Sequence, residues 1–414
     1  MNFSAHRPVL HVRPEKGWLS NPAGLFRASG VTHVFFQHNP NSTIREQVHW
    51  GHATSRDMLH WHNEPEALRP ELDGIDDNGC WGGTALAEGD TVKLVYAGVS
   101  GVSNGICQPI IATGTPDTKV FTDKSPVQVE NRQAEAAKLG APCVFVHDGF
   151  RYAIQGGQVG ERGGVVIYDA NDLDSWRELG VFYSAADAPG ALEAPNWEFP
   201  QLVRFGQRWV FFISMRQRDT FKDSVGWALG TINFDGEVPH FQATKAGRAD
   251  SGPDFFSPKI ALLDGVPTMM AWAPESKVRP LGEVAKDGLA GALTFPRIVT
   301  LAEGPDGAFP YLAPFEKLTE LRQEEVAQDE LAGVHAREAE FTSAGKITLA
   351  KRRDLDVEPG DRLLVDGSLV EFYPAKVGRF PHTERFDPTN GISLELQDAT
   401  ANFWKLADGT QEAN

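Results

Sequence analysis

At 414 residues, with 41% hydrophobic and 23% charged side chains, the chain is long enough for two cores and has an ordinary globular composition, which excludes a disordered class. A formal net charge of -17 opposes binding to nucleic acid or an anionic membrane surface, and no uncharged run approaches the roughly 18 apolar residues of a membrane span. Cys80, Cys107 and Cys143 are odd in number and widely spaced, so neither a disulfide framework nor a zinc site is expected. The start, Met1 to Leu10, has no apolar h-region, and with reduced thiols this predicts a cytoplasmic protein. Abundant Gly, Pro, Phe and Trp point to many turns and an aromatic-rich, all-β chain.

In chain order, one pattern recurs: an apolar strand, a tight Gly-containing turn, a second apolar strand. It runs from Leu25 through Gly30 to Phe36, from Thr84 through Gly89 to Tyr96, and from Val144 through Gly149 to Ile154. It returns from Leu202 through Gly206 to Phe212, and from Ile260 through Gly265 to Met270. The spacing is roughly sixty residues, room for about four short strands per unit, and five such units predict a five-bladed β-propeller over 1–315. The Glu-rich stretch 316–332 reads as a linker with a weak helical stripe at Leu318, Leu321 and Val326. From 333 to 414, short alternating runs broken by Pro359-Gly360, Asp366-Gly367 and Asn390-Gly391 predict a smaller C-terminal β-sandwich.

Within the fourth unit, Trp197 and Phe199 flank Glu198. Dry aromatic walls disfavour the charged form of a carboxyl group and raise its pKa toward the range of a general acid. The alternative is a strand-edge Glu reaching solvent.

Several ordered blocks resemble glycoside hydrolase family 32, the invertase, inulinase and fructanase group. They are the runs from Gly17 to Leu25, from His49 to Trp61 and from Gly79 to Ala85, Trp197-Glu198-Phe199-Pro200, and the runs from Gly252 to Phe256, from Gly291 to Arg297 and from Val365 to Glu371. The resemblance implies a propeller joined to a sandwich and a site for a small sugar. It puts the proton-donating carboxylate at Glu198. The attacking carboxylate falls on Asn21, and the sugar-holding carboxylate falls on Ala141. A retaining glycosidase needs two carboxyl groups about 5 Å apart, and a neutral, weakly nucleophilic Asn amide cannot be the first.

By the same resemblance Trp18, Ser20, Gln37, Trp50, Trp81, Gly82 and Trp272 are expected around the sugar, the rings stacking on it and the amides and hydroxyl bonding to it. Trp209 and Trp227, inside apolar strands, read as core. Asp76, Asp77, Asp254 and Glu275 are candidates for a replacement carboxylate, though each fits a turn or cap better. His49 and His52 lack a third ligand at metal spacing, and no phosphate-cradling glycine loop precedes a helix, so neither metal nor cofactor is expected. Two readings follow: a divergent glycosidase acting on a fructofuranoside with Glu198 as general acid/base, or a sugar-binding protein that has lost the chemistry. A homo-oligomer is compatible with both.

Overall fold

The computed structural model describes residues 5–101, 107–131, 136–188, 190–217, 223–275, 279–304, 306–331, 333–389 and 391–407. Each recurrent hairpin forms the two innermost antiparallel strands of its own sheet. The pairs are Gly17–Ala28 with Val31–Asn39, Gly79–Glu88 with Thr91–Val99, Pro142–His147 with Phe150–Val159, Asn196–Phe205 with Arg208–Arg216, and Phe256–Leu263 with Val266–Ala273. A third and a fourth strand are added outward in each sheet. The innermost strands touch one another in succession, and the fifth touches the first, so the sheets close into a ring about an axis. This is the expected propeller architecture.

The ring is held by one apolar layer between each pair of neighbouring sheets. Because successive side chains on a strand point to opposite faces, Trp209, Phe211 and Ile213 pack toward the third sheet and Val210 and Phe212 toward the fifth. Both faces are buried, which is why these strands read as unbroken apolar runs. Trp209 and Trp227 are core, as expected.

The hairpin turns all lie at one end of the ring. Ser29-Gly30, Asp148-Gly149 and Asp264-Gly265 have both residues at positive φ, as the tight primed turn requires. At the opposite end the inner strands are bulged. Register shifts fall between Leu19 and Gly24, Cys80 and Gly83, Glu198 and Gln201, and Phe256 and Lys259. Each bulge re-aims side chains where the strand leaves the ladder.

The C-terminal part is a sandwich. A six-stranded sheet runs in the order Arg322–Val326, Ala401–Leu406, Ala336–Phe341, Arg362–Asp366, Leu369–Tyr373 and His382–Arg385. A three-stranded sheet of Arg353–Val357, Gly345–Leu349 and Leu394–Gln397 faces it. Phe341, Ile347, Leu363, Val370 and Phe403 share the core between them. The helical stripe read in 316–332 is instead 3-10 turn at Glu316–Leu321 and edge strand at Arg322–Val326. Pairing with Ala401–Leu406 offers that backbone a ladder, which outweighs a weak helical periodicity.

Ring and sandwich are joined by buried charge. Arg297, with a side chain 0% exposed, donates to Asp250 and Glu371 at 2.8 Å each. Glu371 also accepts from the Phe295 N–H and the Tyr373 hydroxyl, and its other partner is His11, at 3.0 Å. His11 bonds Asp366 as well, at 2.7 Å, and the N–H groups of Val9 and Leu10 donate to that same carboxylate. The segment 9–11 is thus fastened to strands more than 350 positions away, the Val9 to Asp366 separation being 357.

Candidate functional site

The bulged ends of the inner strands bring together most of the residues singled out from the sequence. In the first strand Ser20 Oγ and Asn21 Nδ2 both donate to Gln37 Oε1, at 3.1 and 3.2 Å. Asn21 is buried, and among the described residues its Oδ1 has no hydrogen-bond partner. Trp18, Trp81 and Trp272 share one apolar cluster with Val48, Val284 and Ala290, and the rings of Trp18 and Trp272 meet edge to face at 6.1 Å. The indole N–H of Trp272 is also buried without a partner among the described residues.

Gly82, Ala141 and Phe199 meet from three different sheets. A Cβ placed on Gly82 would come within 2.8 Å of the Phe199 ring and 3.1 Å of Ala141 Cβ. The small residues at 82 and 141 are therefore matched to each other. Phe199 itself has φ 55°, a left-handed conformation imposed by the bulge that follows Glu198.

Glu198 does not lie in the aromatic clamp read from the sequence. Strand alternation turns Trp197 into the core, where it is fully buried against Tyr183 and Phe211 and donates to the Leu192 carbonyl. The bulge carries Phe199 toward Gly82 and Phe256. The carboxylate is instead held by Arg216, whose Nε lies 3.1 Å from Oε1 and whose Nη2 lies 3.1 Å from Oε2, a bidentate fork. Asn196, on the same strand face, adds a bond of 3.1 Å. Arg216 bonds Asp223 at 2.8 Å through its remaining nitrogen. Arg45 stacks on Trp81, 4.1 Å from the ring centroid, and burial lowers its guanidinium pKa although Glu198 opposes this.

Trp50 is the second departure. It is 0% exposed, packs on Phe35 and Tyr96, and donates its indole N–H to the Trp81 carbonyl at 2.8 Å. It supports the Trp81 backbone from the core and offers no face to a ligand.

The other carboxylates are engaged elsewhere. Asp76 is buried among Tyr96, Cys80 and Lys124, and Asp77 accepts from the Gly101 N–H. Asp254 faces the sandwich and accepts from Arg385 N–H; burial pushes its carboxyl up to about 7 despite that bond. Glu275 is flanked by Arg279 and Arg385 at 3.6 Å and accepts from the Gly291 N–H. His49 pairs with Glu66, and His52 stacks between Phe35 and His33.

The polar partners of Glu198 escaped the sequence reading. A residue-by-residue signal existed for two of them. Asn196 is two positions from Glu198 on one strand face, and Arg216 is a cation ending an apolar run, Val210 to Met215, that has no other use for one. Arg45 and Asp223 lie in connections between strands and carried no such signal.

The model of the glycosyl hydrolases family 32 N-terminal domain matches residues 11–308. A raffinose invertase of Escherichia coli is 30% identical over 317 residues, which is 72% of this chain and 63% of that protein. A sucrose-6-phosphate hydrolase of Zymomonas mobilis is 27% identical over 338 residues, 77% of this chain and 64% of its own length. The chain thus spans less than two thirds of the length of these relatives. Among solved structures, a sucrose-6-phosphate hydrolase from Lactobacillus gasseri superposes with a TM-score of 0.82 at 21% identity, covering 98% of this chain and 94% of that one. A GH32 beta-fructofuranosidase of Bombyx mori gives 0.81 at 20%, covering 98% and 95%. These likenesses agree with the ring and sandwich on the fold, and the match over 11–308 takes in every inner strand: the chain belongs to glycosyl hydrolase family 32.

Proposed function

We propose that the bulged end of the ring binds a fructofuranoside or a related small sugar, and that it does so without retaining-type turnover. The observation that carries this reading is Asn21, a buried amide with an unsatisfied Oδ1 at the position where the resemblance expects the attacking carboxylate. A buried acceptor without a donor costs about 1–3 kcal/mol, and a sugar hydroxyl would recover it. The unpaired Asn196 Oδ1 and Trp272 N–H offer a hydroxyl-rich ligand one further acceptor and one donor. Trp18, Trp81 and Trp272 supply faces for its apolar side, and Arg45 a cation beside them. Glu198, oriented by the Arg216 fork, keeps carboxylate lone pairs that a sugar hydroxyl can donate to.

Calorimetric titration with fructose, sucrose and 1-kestose, paired with chromatography for released fructose, tests the reading. Saturable binding without hydrolysis is expected, and release of fructose that stops in Glu198→Gln would overturn it. Restoring Asn21→Asp and Ala141→Asp together is expected to bring back hydrolysis.

A second reading has its own support. Asp223 shares Arg216 with Glu198, which puts two carboxylates on one guanidinium. If Glu198 is the general acid/base of a divergent glycosidase, hydrolysis must fall in Asp223→Asn as well as in Glu198→Gln.

A further inference from the structure

At the hairpin end of the ring, opposite the bulges, the inner strands enclose a cavity of about 530 Å³. All five contribute a wall, with Phe26, Leu86, Val144, Leu202 and Ile260 one from each. The volume is that of a small-molecule site, and the walls are mostly apolar. Its inner end is closed by Lys259, the lining residue of the fifth sheet farthest from the Asp264-Gly265 turn. The Lys259 side chain reaches from the fifth sheet to the second, where it donates to the Gly83 carbonyl. Its residue is 5% exposed, and among the described residues no carboxylate pairs with it. One carbonyl thus serves an ammonium with three donors. Burial pushes this group down to about 8, the Cys143 thiol being the neighbour that opposes the change. At the outer lip Val146 is 56% and Leu262 69% exposed, an apolar rim on the solvent side. The other charged lining residues, Arg27, Arg204 and Glu88, are paired with Asp264, Asp148 and Arg151, so among the described residues Lys259 is the cavity charge without an ion pair.

A buried cation without a counter-ion is costly unless a partner reaches it, and this one stands at the closed end of an apolar well open to solvent. We propose that the hairpin-end cavity is a binding site for a medium-chain carboxylate, its head against the Lys259 ammonium and its chain along the five inner strands. The site is separate from the sugar-binding end and independent of whether that end performs chemistry.

The test is calorimetric titration of the full chain with octanoate, and with 1-octanol as the uncharged analogue, each with and without saturating fructose. Octanoate is expected to bind at one site per chain, at least about tenfold more tightly than 1-octanol, and fructose is expected not to displace it. Lys259→Met should remove that preference while leaving 1-octanol binding in place. Should Lys259→Met fail to fold, Leu262→Asp puts an opposing charge on an exposed lip position and should weaken octanoate by about tenfold and 1-octanol little. Equal affinities for the two ligands, displacement by fructose, or no saturable octanoate binding would each overturn the proposal.

Discussion

Arg297 and Arg216 each hold two carboxylates, one pair sealed between ring and sandwich and the other at the open end of the ring. The side chains of Arg297, Asp250 and Glu371 are 0 to 1% exposed, whereas those of Arg216, Glu198 and Asp223 are 26 to 41% exposed. The inner network adds bonds with Thr383, Tyr373, His11 and the Phe295 N–H, although Arg297 Nε is left without a partner among the described residues. The outer one leaves the Oδ1 of Asn196 unbonded. The same fork chemistry is therefore spent on cohesion in one place and left available to a ligand in the other.

The largest effect should come from breaking the sealed pair. Arg297→Met takes the ion-pair partner from buried Asp250 and leaves Glu371 with His11 alone, and is expected to cost about 3–5 kcal/mol, seen as a large drop in the thermal midpoint or failure to accumulate folded protein. Trp50→Ala should cost a similar amount, about 3–5 kcal/mol, through loss of a core ring, while Trp81→Ala should weaken sugar binding far more than it lowers stability. A Trp50→Ala protein of near-normal stability would show that this ring is not core.

Acidity probes the contrast next. Burial raises the Glu371 carboxyl, but His11 and Arg297 outweigh it and hold the group at about 2. Glu384, against His382 and Arg353, is likewise held at about 2. Both have folded values below their ordinary 4.5, so the stability they provide is present above about pH 4.5 and drains away as pH falls toward 2. His11 has the opposite sign. Burial lowers its pKa, but Asp366 and Glu371 outweigh that and raise it above 6.5. Its contribution is full below 6.5 and is lost as pH rises through the raised value. A thermal midpoint measured against pH should therefore plateau between these limbs, and Glu371→Gln should flatten the acid limb. An acid limb unchanged by that substitution would remove Glu371 as its cause.

The smallest stability effect belongs to the open pair. Glu198→Gln is expected to change unfolding by less than about 1 kcal/mol, because partly exposed pairs contribute little, yet to weaken sugar binding measurably. A stability loss comparable to that of Arg297→Met would erase the distinction between the two sites.

The ring was legible in the sequence because its turns are local. Gly30, Gly149 and Gly265 follow residues that also adopt positive φ, and such turns announce themselves between apolar runs. Ser20, Asn21, Trp18, Trp81 and Trp272 were legible as a group only through the resemblance. The surroundings of Glu198 were not, for two reasons. A bulge between Glu198 and Gln201 breaks the alternation that neighbour-based reasoning assumes, and Arg216, Asp223 and Arg45 arrive from other stretches of chain. The sealed network was invisible for the second reason alone, since positions 11, 250, 297, 371 and 383 share no local pattern.

The bond from the backbone of Val9 to Asp366 ties one stretch of chain to a strand 357 positions later. A ribosome must therefore release all of that intervening stretch before the knot can be drawn, and the sheets within it wait in the meantime without this fastening. Contacts so distant along the chain form slowly, which makes this join the step at which a chaperone would have the longest opportunity to act.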